Sequence, residues 1–159
     1  MLDELDVTDR EILEVLQTDA RITNAALAER VHLSPSACLR RVRRLEEAGV
    51  VTGYVAVLDR KLIGRGTSVF VEIALTSQQE DHLDAFEEAV ADVAEILSCH
   101  LMAGNSDYLL HVAATDVADY ERIHKAYLAR LPHVGQLRSS FALRTVCDRK
   151  AHRFDSEAR

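Results

Sequence analysis

The chain has 159 residues, 48% of them hydrophobic and 28% charged, which is enough for one ordinary domain or two small ones and excludes an intrinsically disordered protein. No apolar run approaches the roughly 20 residues of a membrane span, and the acidic N-terminus is not that of a secretory signal. The three cysteines lie far apart in the sequence, which predicts reduced thiols in a cytoplasm rather than a disulfide framework or a zinc site.

The net charge of −7 is unevenly distributed along the chain. Residues 1–20 carry seven acids and one arginine, and residues 66–159 carry fifteen acids and nine basic side chains. Residues 21–65, in contrast, carry nine basic and four acidic side chains. The total charge argues against a nucleic-acid partner, but this local positive field favours one, because local charge is what a phosphate backbone meets.

The first helix is predicted to begin at a capping box formed by Thr8 and Glu11, with Val7 and Ile12 as a hydrophobic staple. Its buried face consists of Ile12, Leu13 and Leu16, and it ends near Asp19.

A second, shorter helix is predicted to start at Thr23 or Asn24. Its inward side chains are Leu27, Ala28 and Val31. His32 and Leu33 then form a tight turn into a third helix, and three short helices with such a turn are the helix-turn-helix arrangement.

The third helix has its own start signal, because Ser34 is a good N-cap and Pro35 occupies the first helical position. It ends at Gly49. A buried stripe is formed by Cys38, Val42 and Leu45. Four arginines lie within residues 40–44 with no acid among them, and this is the most basic point of the chain.

This basic helix predicts double-stranded DNA as a partner, because a helix in the major groove reads bases with its N-terminal residues. The predicted DNA-contacting residues are Ser34, Ser36, Ala37, Arg40, Arg41, Arg43 and Arg44. The first three lie near the bases, whereas Arg43 and Arg44 hold phosphate. Arg41 has an alternative, namely pairing with Glu46 or with an acid of the first helix. The competing interpretation of the whole region is a small helical bundle with a solvated arginine face.

Residues 50–58 are rich in β-branched side chains and predict an extended strand, and residues 59–66 predict a linker with two glycines. The predicted organisation is therefore a winged-type helix-turn-helix DNA-binding domain over 1–52, a strand and linker over 53–66, a second domain over 67–147 and a polar tail over 148–159.

The second domain alternates strands and helices in the order βαββαβ, which predicts a ferredoxin-like α+β fold. Strands are predicted at 68–76, 96–103 and 108–114, with a final strand within 134–146. Ser77 and Glu80 form a capping box for one helix, and Thr115 or Asp116 caps the other, which Pro132 ends. Since two helices cover only one sheet face, a partner subunit is expected to cover the other.

The chain resembles the Lrp/AsnC (leucine-responsive/asparagine, feast/famine) regulators over nearly its whole length. The resemblance rests on segments 5–16, 20–23, 27–28, 33–36, 41–46 and 49–51, on Gly104-Asn105-Ser106-Asp107-Tyr108, on 131–134, and on 139–143. It implies a DNA-binding transcriptional regulator whose second domain binds an effector, forms homodimers by sheet-to-sheet packing and assembles into rings of four dimers, an octamer. Two positions depart from the family pattern: His133 stands where glycine is usual, and the tail lacks the usual apolar ending.

The resemblance also implies a free amino acid as effector, with leucine or methionine as the first expectation, and no cofactor or metal. The expected effector residues are His100, Met102, Gly104, Asn105, Ser106, Asp107, Ser139, Ser140 and Phe141. Asp107 is expected to accept the ammonium group, and the amides of the 104–106 turn to hold the carboxylate. Ordinary hairpin-turn chemistry is the alternative explanation for Gly104 and Asp107.

Other classes of protein fit less well. An enzyme is not expected, because the chain has no nucleophile elbow, metal pair or phosphate loop beside His100, Ser106 and Asp107. A metal sensor is disfavoured by scattered histidines and cysteines. The main alternative is an architectural protein that wraps DNA with little effector response. We expect the protein to work in the cytoplasm, associated with the nucleoid.

Overall fold

The computed structural model describes residues 5–154, and these divide into two compact units. One unit contains the described residues up to Ala56 together with those from Val146 onward, and the other spans Val57–Thr145. Within the described residues, no helix has both the length and the apolar character needed to cross a membrane.

The first unit contains α1 (Val7–Thr18), α2 (Asn24–Arg30) and α3 (Pro35–Glu47). Thr23 caps α2 and Ser34 caps α3 through their hydroxyl groups, as the sequence predicts. His32, in the turn between them, adopts a left-handed φ of 54°. The core between the three helices is formed by Ile12, Leu13, Leu27, Ala28, Val31, Cys38 and Leu45.

The start of α1 differs from the prediction. Its N-cap is Asp6, whose carboxylate accepts a hydrogen bond from the Asp9 amide, while the Asp9 carboxylate accepts one from the Asp6 amide. This reciprocal pair replaces the predicted capping box of Thr8 and Glu11. Val7 is 71% exposed, so it is not a hydrophobic staple. Asp6, two residues before Thr8, starts the helix because its carboxylate also forms an ion pair with Arg41 of α3.

Residues 50–58 form no strand within the described part of the chain, in contrast to the prediction. The segment is largely exposed, with Val55 at 85% and Val57 at 73%. A β-rich sequence needs a neighbouring strand for its backbone hydrogen bonds, and the single chain offers none there.

The polar tail contacts the first unit. The side-chain amide of Gln17 donates to the His152 carbonyl at 3.1 Å, and the His152 amide donates to the Gln17 carbonyl oxygen at 2.6 Å. Phe154 packs against the helical core. The tail therefore packs against the first unit as far as residue 154. Its predicted continuation over 155–159 lies outside the described residues.

The second unit is a four-stranded antiparallel sheet of β1 (Thr67–Leu75), β2 (Ile96–Leu101), β3 (Tyr108–Ala114) and β4 (Val134–Phe141) in the order β2-β3-β1-β4. Helices α4 (Glu80–Ala91) and α5 (Val117–Ala126) cover one face. This is the predicted βαββαβ fold, and the α+β class is confirmed.

The helix ends of this unit follow the prediction in part. Asp116 caps α5, but α4 begins after Gln79, which makes no side-chain cap bond, so the predicted capping box of Ser77 and Glu80 is wrong. A 3-10 turn (Leu128–Arg130) continues α5 toward Pro132.

The structure shows how a histidine is accommodated at position 133, where the family usually has glycine. His133 adopts a left-handed φ of 59°, the conformation that favours glycine. Its ring stacks on His82 at a centroid distance of 3.8 Å, a contact that glycine does not make. Its carbonyl also accepts the Thr76 amide at 2.8 Å.

Alternation along the strands separates the two sheet faces. Val69, Val71 and Ile73 of β1 are fully buried under the helices. Phe70 lies on the opposite face, where its ring stacks on His111 at 4.8 Å and remains 40% exposed. We call this second surface the open face. In β4, pairing with β1 assigns Gln136, Arg138 and Ser140 to it.

Candidate nucleic-acid interface and effector region

The start of α3 is held by local hydrogen bonds. The Ser34 hydroxyl accepts the Ala37 amide at 3.3 Å, and the side-chain amide of Asn24 donates to the Pro35 carbonyl at 2.8 Å, which ties α2 to α3. Ser36 is exposed and lies 3.3 Å from Ser34 between hydroxyl oxygens. The first turn of α3 is therefore fixed and presents Ser36 to solvent.

Arg40 and Arg43 are exposed on the second turn of α3. Neither makes an ion pair with any described residue. They lie three residues apart, which places them on one side of the helix. Their guanidinium groups are thus not engaged by other described side chains, and their contact with DNA stays a prediction.

Arg41 and Arg44, in contrast, are ion-paired with the first helix. Arg41 contacts Asp6 at 2.6 Å and Asp9 at 2.9 Å, and Arg44 contacts Asp9. The predicted alternative for Arg41, pairing with an acid of the first helix, is what the structure shows. Arg44 makes the same kind of contact, which the sequence argument did not assign to it.

Two pKa shifts follow from these contacts. The hydrogen bond to Asp6, and then that to Asp9, raises the pKa of the Arg41 guanidinium. For Asp6, burial acts to raise the pKa, but the Asp9 amide and Arg41 outweigh it, and the pKa lies below its ordinary value. Both pKa shifts favour the ionised forms of Asp6 and Arg41.

Asp107 is partly buried and is hydrogen-bonded within its own unit. One carboxylate oxygen accepts the Leu75 amide at 2.7 Å, and the other accepts the side-chain amide of Gln78 at 2.6 Å. Its backbone amide also donates to the Ile73 carbonyl at 2.8 Å. Asp107 therefore binds the 104–107 loop to the end of β1, and its role as an ammonium acceptor stays a prediction.

A polar groove of ≈ 270 Å³ opens beside this loop on the open face. It is lined by Glu72, Ala74, Asn105, Ser106, Gln136 and Arg138. Glu72 and Arg138 are opposite each other on β1 and β4, and their charged groups lie 3.5 Å apart. The groove thus combines one carboxylate, one guanidinium and two predicted loop residues.

Neither the backbone conformation nor a close contact among the described residues requires glycine at position 104. Its φ lies outside the left-handed range, and a Cβ at this position meets no atom within 4 Å. The hairpin-turn explanation for it is therefore weakened. Space outside the chain beside residue 104 is open to a ligand or to a second subunit.

The remaining predicted effector residues do not lie close together within the single chain. His100 pairs with Leu109 on the open face of β2, at one edge of the sheet, and exposed Met102 follows that strand. Ser140 lies on the open face of β4, at the other edge. Two strands separate these edges, a distance of about 14 Å at the usual strand spacing.

Two further expected residues lie on the opposite side of the sheet. The Ser139 hydroxyl contacts the Tyr120 hydroxyl at 2.5 Å between oxygens, and the Phe141 ring meets the Tyr120 ring edge-on at 5.2 Å. Both therefore face α5 and not the groove.

Sequence reasoning missed Glu72 and Arg138 as groove residues, and Asp9 as the partner of the arginines. A signal for the first pair exists, because opposite charges at alternate positions of two strands predict a cross-strand pair once the register is known. For Asp9 the signal is an acid within an otherwise apolar helix face.

Comparisons with known proteins match both units. A winged helix-turn-helix DNA-binding model matches residues 5–52, and the Lrp/AsnC ligand binding domain matches residues 68–152. The Bkd operon transcriptional regulator of Pseudomonas aeruginosa is 41% identical over 148 residues, covering 93% of this chain and 97% of that protein. The leucine-responsive regulatory protein of Escherichia coli K12 is 42% identical over 143 residues, covering 90% and 87%.

Solved structures agree with this assignment. A transcriptional regulator from Neisseria meningitidis in complex with L-Met superposes with a TM-score of 0.86 at 37% identity, covering 91% of this chain and 94% of that one. An AsnC family transcriptional regulator from Agrobacterium tumefaciens gives a TM-score of 0.89 at 34% identity, covering 93% and 96%.

Proposed function

The chain belongs to the Lrp/AsnC family of DNA-binding transcriptional regulators, and we propose that α3 contacts DNA while the groove beside the 104–107 loop takes a free amino acid. The observation that carries the DNA contact is the pair of exposed arginines, Arg40 and Arg43, on α3. Ser36 and Ala37, at the start of the helix, face the bases, and the two arginines hold phosphate or guanine edges.

The test of this DNA surface is the double variant Arg40→Ala with Arg43→Ala. It abolishes tight binding to a duplex selected by the wild-type protein from a random pool, and it leaves the oligomer intact. The control is Arg130→Ala with Arg144→Ala, because it removes the same two charges from exposed positions in the second unit. Wild-type gel-shift affinity in the double variant contradicts the proposal.

The groove fits a zwitterion. Arg138 offers donors for an α-carboxylate, Glu72 accepts an α-ammonium group, and Asn105 and Ser106 add polar groups beside them. Asp107, whose two oxygens are already bound, holds the loop in place. Ser140 lies two residues from Arg138 on the same face of β4, whereas His100, at the opposite edge of the sheet, completes such a site only from a neighbouring subunit.

The names of similar proteins favour an apolar amino acid. One relative is called leucine-responsive, and one similar structure contains L-Met. A thermal-shift screen of the standard amino acids identifies the ligand, because binding to the folded state raises the melting temperature. Glu72→Gln and Arg138→Gln lose that shift. If no amino acid shifts the wild-type protein and its footprint on DNA is unselective, the architectural alternative is favoured.

We further propose that homodimers form across the open face and assemble into an octamer. The support is an exposed aromatic pair, Phe70 stacked on His111, on a sheet surface that no helix covers within the described residues. Light scattering after gel filtration measures the mass. Phe70→Glu is expected to lower it to that of the monomer, whereas an unchanged octamer contradicts the assignment of this face.

Effector and DNA binding are then linked through assembly. An amino acid that binds one oligomeric arrangement more tightly shifts the population toward it, by no more than its difference in affinity for the two arrangements. DNA binding changes with it. We place this activity in the cytoplasm, on nucleoid DNA.

A further inference from the structure

Asp9 is the one charged side chain that is fully buried among the described residues. It lies on α1, away from the exposed surface of α3 that carries Arg40 and Arg43. A buried carboxylate is costly unless it is paired and hydrogen-bonded. The buried carboxylate of Asp9 therefore needs a structural or functional explanation, because it is not in contact with solvent.

The carboxylate of Asp9 connects two helices. One oxygen contacts Arg41 at 2.9 Å, and the other contacts Arg44 and accepts the Asp6 amide at 3.3 Å. Asp6 adds a second contact to Arg41 at 2.6 Å. Two acids in the first turn of α1 thus bind two guanidinium groups that lie three residues apart on α3.

These contacts select which arginines are ion-paired within the protein, although Arg44 stays 56% exposed. Arg41 and Arg44 lie on the side of α3 that faces α1, so Arg40 and Arg43 face solvent. Each residue of a helix is turned by about 100° from the one before it. A small rotation of α3 about its axis therefore changes where Arg40 and Arg43 point, whereas a full one-residue rotation would also remove Cys38 and Leu45 from the core.

Apolar packing fixes which face of α3 is buried but restrains small rotations about the helix axis less strictly. The buried contacts of α3 come from Cys38 and Leu45, with Val42 partly buried, and apolar contacts are not directional. Charge-assisted hydrogen bonds to guanidinium groups are directional. The ion cluster thus supplies an orientation that the core does not.

We propose that Asp9 is a positioning residue for DNA recognition: it fixes the rotation of α3, so that Arg40 and Arg43, and not Arg41 and Arg44, meet DNA. The proposal rests on the DNA contact proposed above for Arg40 and Arg43. It assigns to Asp9 an effect on sequence discrimination, although Asp9 does not touch DNA itself.

The central experiment compares wild-type protein with Asp9→Asn on two duplexes, one selected by the wild-type protein from a random pool and one with the same bases shuffled. Affinity for the selected duplex falls about tenfold, comparable to the loss of one base contact. Affinity for the shuffled duplex stays equal or rises, because two arginines are released. An equal loss on both duplexes, or no loss on either, overturns the proposal.

Loss of folding is controlled in the same variant. Asp9→Asn lowers the melting temperature by on the order of 10 °C, because a buried ion cluster is broken. Binding is therefore measured well below the new transition, with circular dichroism confirming helix content. A weakened fold lowers affinity for every duplex, whereas mispositioning lowers the ratio of the two affinities.

A second pair of variants keeps Asp9 intact. Arg44→Gln leaves the slope of log K against log salt unchanged, since Arg44 neutralises no phosphate, while Arg43→Gln reduces the slope by about 0.9. Equal slope changes in both variants overturn the positioning role of Asp9. An unchanged slope in Arg43→Gln overturns instead the DNA contact proposed for Arg43, so the two failures are distinguishable.

Discussion

Asp107 is the residue at which the sequence-based expectation and the geometry differ most sharply. If Asp107 accepts the ammonium group, removing its carboxylate abolishes amino-acid binding and leaves the domain folded. If Asp107 anchors the loop, removing its carboxylate destabilises the domain. The variants Asp107→Ala and Asp107→Asn separate these roles, because asparagine keeps one oxygen as an acceptor for the Leu75 amide but carries no charge.

The magnitude follows from two hydrogen bonds to a charged acceptor. Such bonds contribute about 1.5–3 kcal/mol when sheltered. The partly buried bond from Leu75 contributes about 1.5 kcal/mol and the exposed bond from Gln78 only about 0.5 kcal/mol, so the sum is about 2 kcal/mol. For a unit spanning Val57–Thr145 this lowers the melting temperature of Asp107→Ala by on the order of 10 °C. Asp107→Asn loses about half as much.

The assay combines differential scanning calorimetry with calorimetric titration of the amino acid found in the screen. We expect Asp107→Asn to bind it with near wild-type affinity, while Glu72→Gln binds more weakly and keeps wild-type stability. Glu72 is the matched control, because it is exposed and its ion pair with Arg138 is worth little to stability. If Asp107→Asn is as stable as wild type and no longer binds, Asp107 is the ammonium ligand and the reasoning from its contacts fails.

Three further predictions concern local structure. Ser34→Ala removes the side-chain acceptor for the Ala37 amide and lowers the free energy of unfolding of the first unit by about 1 kcal/mol; a urea midpoint equal to wild type contradicts the cap. Iodoacetamide at neutral pH modifies exposed Cys147 much faster than Cys99, because burial, and then the charge of Glu87, raises the pKa of the Cys99 thiol to about 11; equal rates by mass spectrometry refute this. Phe154→Ala lowers the unfolding free energy of the first unit by about 1 kcal/mol, less than a fully buried phenylalanine, whereas an unchanged thermal transition means that the tail does not dock.

Local capping explains what could be predicted of the fold. Ser34 with Pro35, Thr23 and Asp116 each start a helix where predicted, because the bond that starts the helix lies within three residues. The start of α1 was mispredicted because two capping-box patterns overlap by two residues. The choice between them depends on cations more than 30 residues away, which spacing does not reveal.

Tertiary pairing explains what could not be predicted. Residues 50–58 have strand composition but no partner strand in the single chain, so composition alone gave the wrong state. The effector residues were chosen from short segments, but the order β2-β3-β1-β4 places His100 and Ser140 at opposite edges. Face alternation then turns Ser139 toward α5. Strand order and register, rather than motif content, decide which side chains share a site.

The pairing of Arg41 and Arg44 with acids also bears on how many subunits DNA binding needs. Each α3 keeps two free guanidinium groups, Arg40 and Arg43, so one helix neutralises about two phosphates, which is a weak electrostatic anchor. In the proposed dimer, two such helices would bind adjacent half-sites, and the second contact would be strengthened by its tether to the first. The salt slope expected for that dimer is about −3.6 from α3 alone. On this proposal, tight binding at physiological salt depends on assembly, so that an effector acting on the second unit would control DNA binding without touching α3.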